Sequence, residues 1–255
     1  MNNVKAIIFD LDGTLLDTLL DLADSCNKSL CTCGYPARTV DEVRMFVGNG
    51  LGKLIERALP GGRENSDYEK VLSCMRKNYA ENWNNKTKPY PGILAMLEKL
   101  KARGIKCGIV SNKPDEQVKE LAQVFFSDTI QESAGENEKE GIRRKPFPDS
   151  VFTVMKKLGA ENDCTVYAGD SDVDIQTAAN AGIPCISVTW GFRSRDFLIQ
   201  NGAKFLADNV EEYGISMEHF SPMSIQNMIL VDYISKIEIS MSEFVSRRQE
   251  IMYLS

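Results

Sequence analysis

The stretch AIIFDLDGTLLDT, residues 6–18, drives four apolar residues, Ala6, Ile7, Ile8 and Phe9, straight into two carboxylates, Asp10 and Asp12. A short, unbroken apolar run reads as a β-strand buried on both faces. If the extended conformation continues past Asp10, residues 10 and 12 point to the same side, because side chains alternate with period two. Two adjacent carboxylates repel unless a cation or a proton intervenes. Gly13 and Thr14 follow, then a third acid at Asp17.

The same kind of strand recurs downstream, each time after a helix-period segment and a glycine. In ILAMLEKLKARG, residues 93, 96, 97 and 100 share a helical face, Gly104 stops the helix, and IKCGIVSN follows. DSVFTVMKKLG leads to CTVYAGD, and DIQTAANAG leads to IPCISVTW. The segment EQVKELAQVF adds another amphipathic helix. Buried strands alternating with amphipathic helices predict an α/β fold: a doubly wound, Rossmann-like parallel sheet. Ligands in such folds bind beyond the carboxyl ends of the strands. The residues at those ends are Asp10, Ser111 and Asp170, with Lys145 just ahead of the helix over 149–158.

Residues 17–88 break the pattern. Segments such as DEVRMFVGNGLGKLIERAL and DYEKVLSCMRKNYAENW are helical in period, and NNKTKPYPG, residues 84–92, returns the chain to the sheet. The expected organisation is a core of residues 1–16 and 89–221, and a small helical cap of residues 17–88 placed like a lid over the rim. A helical extension follows over 222–255, with a stripe of Ile229, Leu230, Tyr233, Ile234 and Ile237.

Composition narrows the function. The 255 residues are 43% apolar and 26% charged, with a net charge of −6. No dense basic block marks a nucleic-acid partner, and no apolar run approaches the roughly 20 residues of a membrane span. The acidic ENEKE at 136–140 reads as a solvated loop. Seven scattered cysteines, an odd number, with no signal peptide predict reduced thiols and a cytoplasmic location. Cys31 and Cys33 lack further zinc ligands at suitable spacing, and the single histidine, His219, reads as structural or solvent-exposed.

Asp10 and Asp12, joined by Asp170 with Asp174 behind it, offer the oxygen ligands that a hard cation such as Mg²⁺ takes. Ser111 and Lys145 suit an anion with several oxygens, with phosphate the obvious candidate. Backbone N–H groups near Gly13 can approach such an anion closely. A carboxylate beside Mg²⁺ and a phosphoryl group points to nucleophilic catalysis through an aspartyl-phosphate, with a second carboxylate as general acid and then base. Calcium loops fit poorly: an EF-hand needs Gly and Glu where this chain has Leu15 and Asp21, or Ile175 and Ala181. GNGLGK, residues 48–53, has one residue too few between its outer glycines for a P-loop and reads as a break between cap helices facing the site.

In order and spacing, DLDGT, IVSN, RRKPFP and AGDSDVD resemble the four motifs of the haloacid dehalogenase-like hydrolases over about residues 4–210. VGNGL, SNKP and WGF…NGAKFLADN resemble the phosphoglycolate phosphatases within that superfamily. The resemblance implies Asp10 as nucleophile and Asp12 as general acid/base. It implies Mg²⁺ on Asp10, the Asp12 main-chain carbonyl and Asp170, supported by Asp174. It also implies phosphate or substrate binding by Gly13, Thr14, Ser111, Asn112 and Lys145. The expected activity is a Mg²⁺-dependent phosphoric monoester hydrolase acting on a small phosphorylated metabolite, with 2-phosphoglycolate first. A pyrophosphatase or phosphomutase on the same scaffold is the alternative, and a catalytically idle binding or regulatory protein the alternative of another class. Oligomeric state, a homo-oligomer included, stays open.

Overall fold

A computed structural model describes residues 4–211. Its centre is β1 (Ala6–Phe9), which pairs in parallel with β4 (Lys106–Pro114) on one side and β6 (Thr165–Gly169) on the other. With β5 (Glu132–Glu136), β7 (Cys185–Val188) and β8 (Phe205–Ala207) they make a six-stranded sheet in the order β5-β4-β1-β6-β7-β8, every pairing parallel.

Alternation along β1 feeds two cores. Ile7 and Phe9 join the apolar faces of α5 (Ile93–Ala102) and α6 (Asp115–Phe126). Ala6 and Ile8 join those of α7 (Asp149–Leu158) and α8 (Asp172–Ala181) on the other side. Every β1 residue is buried, so the apolar run is what a strand covered on both faces requires. Gly159 and Gly182, both in the left-handed region, end α7 and α8.

Between β1 and α5 the chain forms four helices, α1 (Leu19–Thr32), α2 (Val40–Phe46), α3 (Gly50–Ala58) and α4 (Tyr68–Asn82). They close on a separate apolar cluster containing Leu22, Cys26, Leu54, Ile55, Val71 and Met75, which also takes in Phe192 from the loop after β7. A short antiparallel ribbon, β2 (Leu16–Asp17) with β3 (Lys88–Pro89), carries the chain out and back. Buried Asp21 fastens the return: its carboxylate accepts from the N–H groups of Lys86 and Thr87 and from the Thr87 hydroxyl.

Two local readings of the sequence are corrected, and a third gains an element. The chain does not stay extended past Asp10: the N–H groups of Leu15 and Leu16 both donate to the Leu11 carbonyl, so residues 11–16 turn and Leu11 drops into the core. The strand read as ending at Ser111, β4, runs on to Pro114, with a shift of register against β5 after Val110. The long acidic connection holds edge strand β5, whose last residue, Glu136, begins ENEKE, and a 3-10 turn at Glu138–Glu140. β5 lacks an apolar run, and its order comes from pairing with β4 and from the Gly135 N–H donated to Asp115. The expected extension over 222–255 and His219 lie outside the described residues. No helix among the described residues is long and apolar enough to cross a membrane.

Candidate active site

Asp10 stands at the first position beyond β1, where the sheet has run out of partners and a carboxylate can face a cavity. Its Oδ1 accepts from the Leu11 N–H at 2.7 Å and pairs with Lys145 Nζ at 2.8 Å. Oδ2 takes no hydrogen bond from the described residues. Lys145, 4% exposed, also reaches Asp174 Oδ1 at 2.7 Å, and the Tyr167 hydroxyl donates to that same oxygen at 3.1 Å. Asn112 holds the lysine's backbone: its Oδ1 accepts from Lys145 N–H at 2.7 Å, and its Nδ2 donates to the Lys145 carbonyl at 3.3 Å. Asn112 Nδ2 also reaches the Gly48 carbonyl, between α2 and α3. Asp174 fills the third position of α8, and its Oδ2 accepts from the Ser171 hydroxyl at 2.6 Å in a reciprocal capping box.

Asp170 follows β6 as Asp10 follows β1, and the parallel register sets the two strand ends side by side. Only 1% exposed, it accepts from the Phe192 N–H at 2.7 Å through Oδ2 and from the Thr14 hydroxyl at 3.4 Å through Oδ1. Gly13, at φ +88°, makes this approach possible: a Cβ there would lie 2.4 Å from Asp170 Oδ2. The Gly13 N–H is donated to the Leu16 carbonyl, and Trp190 Nε1 donates to the Thr14 carbonyl. Gly13 and Thr14 thus both lie against Asp170. Gly13→Ala should strain the backbone and displace Asp170, lowering stability by about 1–3 kcal/mol. Chemical denaturation checks this, and an unchanged midpoint counts against the close approach.

Asp12 lies within the turn and faces the same cavity. Its Oδ1 accepts from the Thr18 hydroxyl at 2.7 Å and from Lys113 Nζ at 2.8 Å, and its Oδ2 from Ser111 Oγ at 3.4 Å. Lys113 also donates to the hydroxyl of Tyr79 on α4 at 2.6 Å, bridging the sheet rim and the helical unit. Sequence reasoning passed over Lys113, Tyr79, Phe192 and Arg193. Lys113 sat within a quoted motif, SNKP, but nothing in a linear pattern marks a lysine as buried.

Burial, then the charge of Asp174, pushes the Asp10 carboxyl well above the usual range, against the pull of Lys145. The same two causes raise Asp170 to about 7. Burial alone would lower Lys145 and Lys113, but their carboxylate partners outweigh it and hold both ammoniums above the ordinary lysine value. Asp10, Asp170 and Asp174 each bring an oxygen to within 4.8 Å of the others. Counting Asp12, four acids are answered by two lysines, a deficit that one hard dication would fill. The donor set therefore fits Mg²⁺.

A cavity lies between this rim and the helices, with Leu22, Leu51 and Leu54 as apolar wall and Gly48 and Gly50 at the helix break. The positive φ of both glycines separates α2 from α3. Lys53, in the P-loop-like stretch, instead pairs with Glu56 one turn along α3.

A family model for haloacid dehalogenase-like hydrolases matches residues 7–188, and a model of a family of unknown function matches residues 195–255. The phosphoglycolate phosphatase of Pseudomonas putida is 32% identical over 203 residues, 74% of this chain and 70% of that protein. That of Aquifex aeolicus is 34% identical over 193 residues, 74% of this chain and 86% of its own length. Among solved structures, a candidate phosphoglycolate phosphatase from Lactobacillus delbrueckii subsp. bulgaricus superposes with a TM-score of 0.80 at 34% identity, covering 84% of this chain and 98% of that one.

Proposed function

The chain belongs to the haloacid dehalogenase-like hydrolase family, and from that premise we propose that it is a Mg²⁺-dependent phosphatase of small phosphate monoesters, 2-phosphoglycolate first among them. The observation that carries the reading is the convergence on Lys145, whose one ammonium ties Asp10 after β1 to Asp174 on α8. Two phosphoglycolate phosphatases at 32% and 34% identity support the choice of substrate.

Asp10 is the nucleophile. With Oδ1 held by Leu11 N–H and Lys145, Oδ2 attacks phosphorus, forming the aspartyl-phosphate as the ester P–O bond breaks. Asp12 protonates the departing alkoxide, then takes a proton from the water that cleaves the acyl phosphate, returning Asp10 and releasing phosphate. Ser111 and Lys145 hold phosphoryl oxygens, and Asn112 fixes Lys145. Mg²⁺, held by Asp10, the Asp12 carbonyl and Asp170, would neutralise charge on those oxygens. Asp174 supports the group through Lys145 and Ser171. The helices over the rim act as the cap, excluding water and selecting the alcohol.

The test is phosphate release from a panel of phosphoesters and pyrophosphate, with Mg²⁺ or with chelator. Turnover of 2-phosphoglycolate should fall at least about a hundredfold in chelator and return with added Mg²⁺. Full turnover in chelator sinks the metal's role, and no turnover of any ester sinks the phosphatase.

A further inference from the structure

Arg193, in the loop between β7 and α9 (Arg195–Gln200), is 8% exposed and lines the cavity that holds Asp10 and Asp170. Its NH1 donates to the Arg44 carbonyl and its NH2 to the Val47 carbonyl, both at 2.8 Å, at the carboxyl end of α2. Its guanidinium lies 5.7 Å from the ring centre of Phe197. Among the described residues no carboxylate lies within ion-pair distance of it. A guanidinium carries five N–H donors, and these two bonds leave three. The Arg193 charge reaches the Asp170 carboxylate through space without a close ion pair, so the free donors at the cavity wall are open to an anion from outside the chain.

The charges around it say which anion. Lys113 is engaged by Asp12 and Tyr79, and Lys145 by Asp10 and Asp174. With a dication present, these lysines balance the four site acids and Arg193 is left over. The phosphoryl seat at Asp10 already has Lys145 and Ser111, whereas Arg193 is anchored to carbonyls of the helical unit. A planar, forked donor matches a carboxylate in two parallel bonds, and the leucines on the same cavity wall offer that group no other partner.

We propose that Arg193 is a specificity-determining residue that binds the carboxylate of a small phosphorylated hydroxy acid whose phosphate sits at Asp10. This rests on the phosphatase reading above and adds to it the chemical class of the alcohol. The loop thereby serves both ends of the substrate, since the neighbouring Phe192 N–H holds Asp170.

The experiment compares kcat and KM for 2-phosphoglycolate and for 2-hydroxyethyl phosphate, which replaces the carboxylate by a hydroxymethyl group. The intact chain should prefer the carboxylate ester by on the order of a hundredfold in kcat/KM. In Arg193→Gln that ratio should fall at least about tenfold, mainly through KM for 2-phosphoglycolate, and Arg193→Lys should restore part of it. If Arg193 only ties the loop to α2, both esters lose equally and the ratio holds, which overturns the proposal. Should Arg193→Gln fail to fold, a ratio near one in the intact chain overturns it as well. Turnover of both esters without discrimination defeats the role of Arg193 alone. Absence of phosphate release from every ester defeats the phosphatase reading and this proposal with it.

Discussion

Asp10→Asn should abolish turnover of every phosphoester that the intact chain hydrolyses, by about 10⁴-fold or more, the scale of losing a nucleophile that acts in concert with its partners. An amide of the same shape cannot donate the electron pair that makes the acyl phosphate. The backbone need not move, because the Leu11 N–H can still donate to the remaining carbonyl oxygen. Rapid quenching during turnover, followed by mass spectrometry, should find a phosphorylated peptide containing Asp10 in the parent and none in the variant. A variant that keeps a tenth of the parental rate would contradict nucleophilic catalysis at Asp10.

Lys145→Met should do nearly as much harm by another route. The lysine is the counter-charge of two buried carboxylates, at 2.8 Å from Asp10 and 2.7 Å from Asp174. Removing one partner of a buried ion pair leaves charge uncompensated, which costs about 3–5 kcal/mol. For a chain of this size that is a fall in Tm on the order of 10 °C. The loss should depend on pH. Asp10 is already pushed above its unfolded value by burial, and losing Lys145 pushes it further. A carboxyl raised in the folded state favours folding while protonated, and that advantage is lost as pH rises above the unfolded value, about 4. The stability gap between parent and variant is therefore widest at neutral pH and closes toward pH 4. Thermal melts across that range decide it, and a gap that does not change with pH would contradict the ion-pair account. Turnover should fall with stability, because the same ammonium holds the phosphoryl oxygens.

Some of these residues announce themselves in one dimension and others do not. Asp10 and Asp170 each follow an apolar strand without a break, so the pattern marks the strand end and the acid together. Lys145 stands out only through its motif, since a lysine near two prolines is otherwise a surface residue. Lys113 and Arg193 leave almost no mark. Their burial comes from helices that lie far from them in sequence: Tyr79 on α4 and the carboxyl end of α2. β5 is illegible for the same reason, being ordered by its neighbour in the sheet and not by its own composition. The turn after Asp10 is a milder case, because the apolar Leu11 could equally have continued the strand.

By its own pattern the chain determines a parallel sheet covered on both faces, which residues end its strands, and hence where acids and a hydroxyl gather. Those are consequences of periodicity and of the burial that apolar runs demand, both local to a few residues. Only the tertiary structure decides which charges meet. It turns Gly13 toward Asp170, ties Asp12 through Lys113 to Tyr79 on the helical unit, and leaves Arg193 buried, bonded to carbonyls and in no close ion pair among the described residues. Electrostatic pairing depends on separations of a few ångströms between segments from about thirty to more than a hundred residues apart, and no spacing along the chain encodes them.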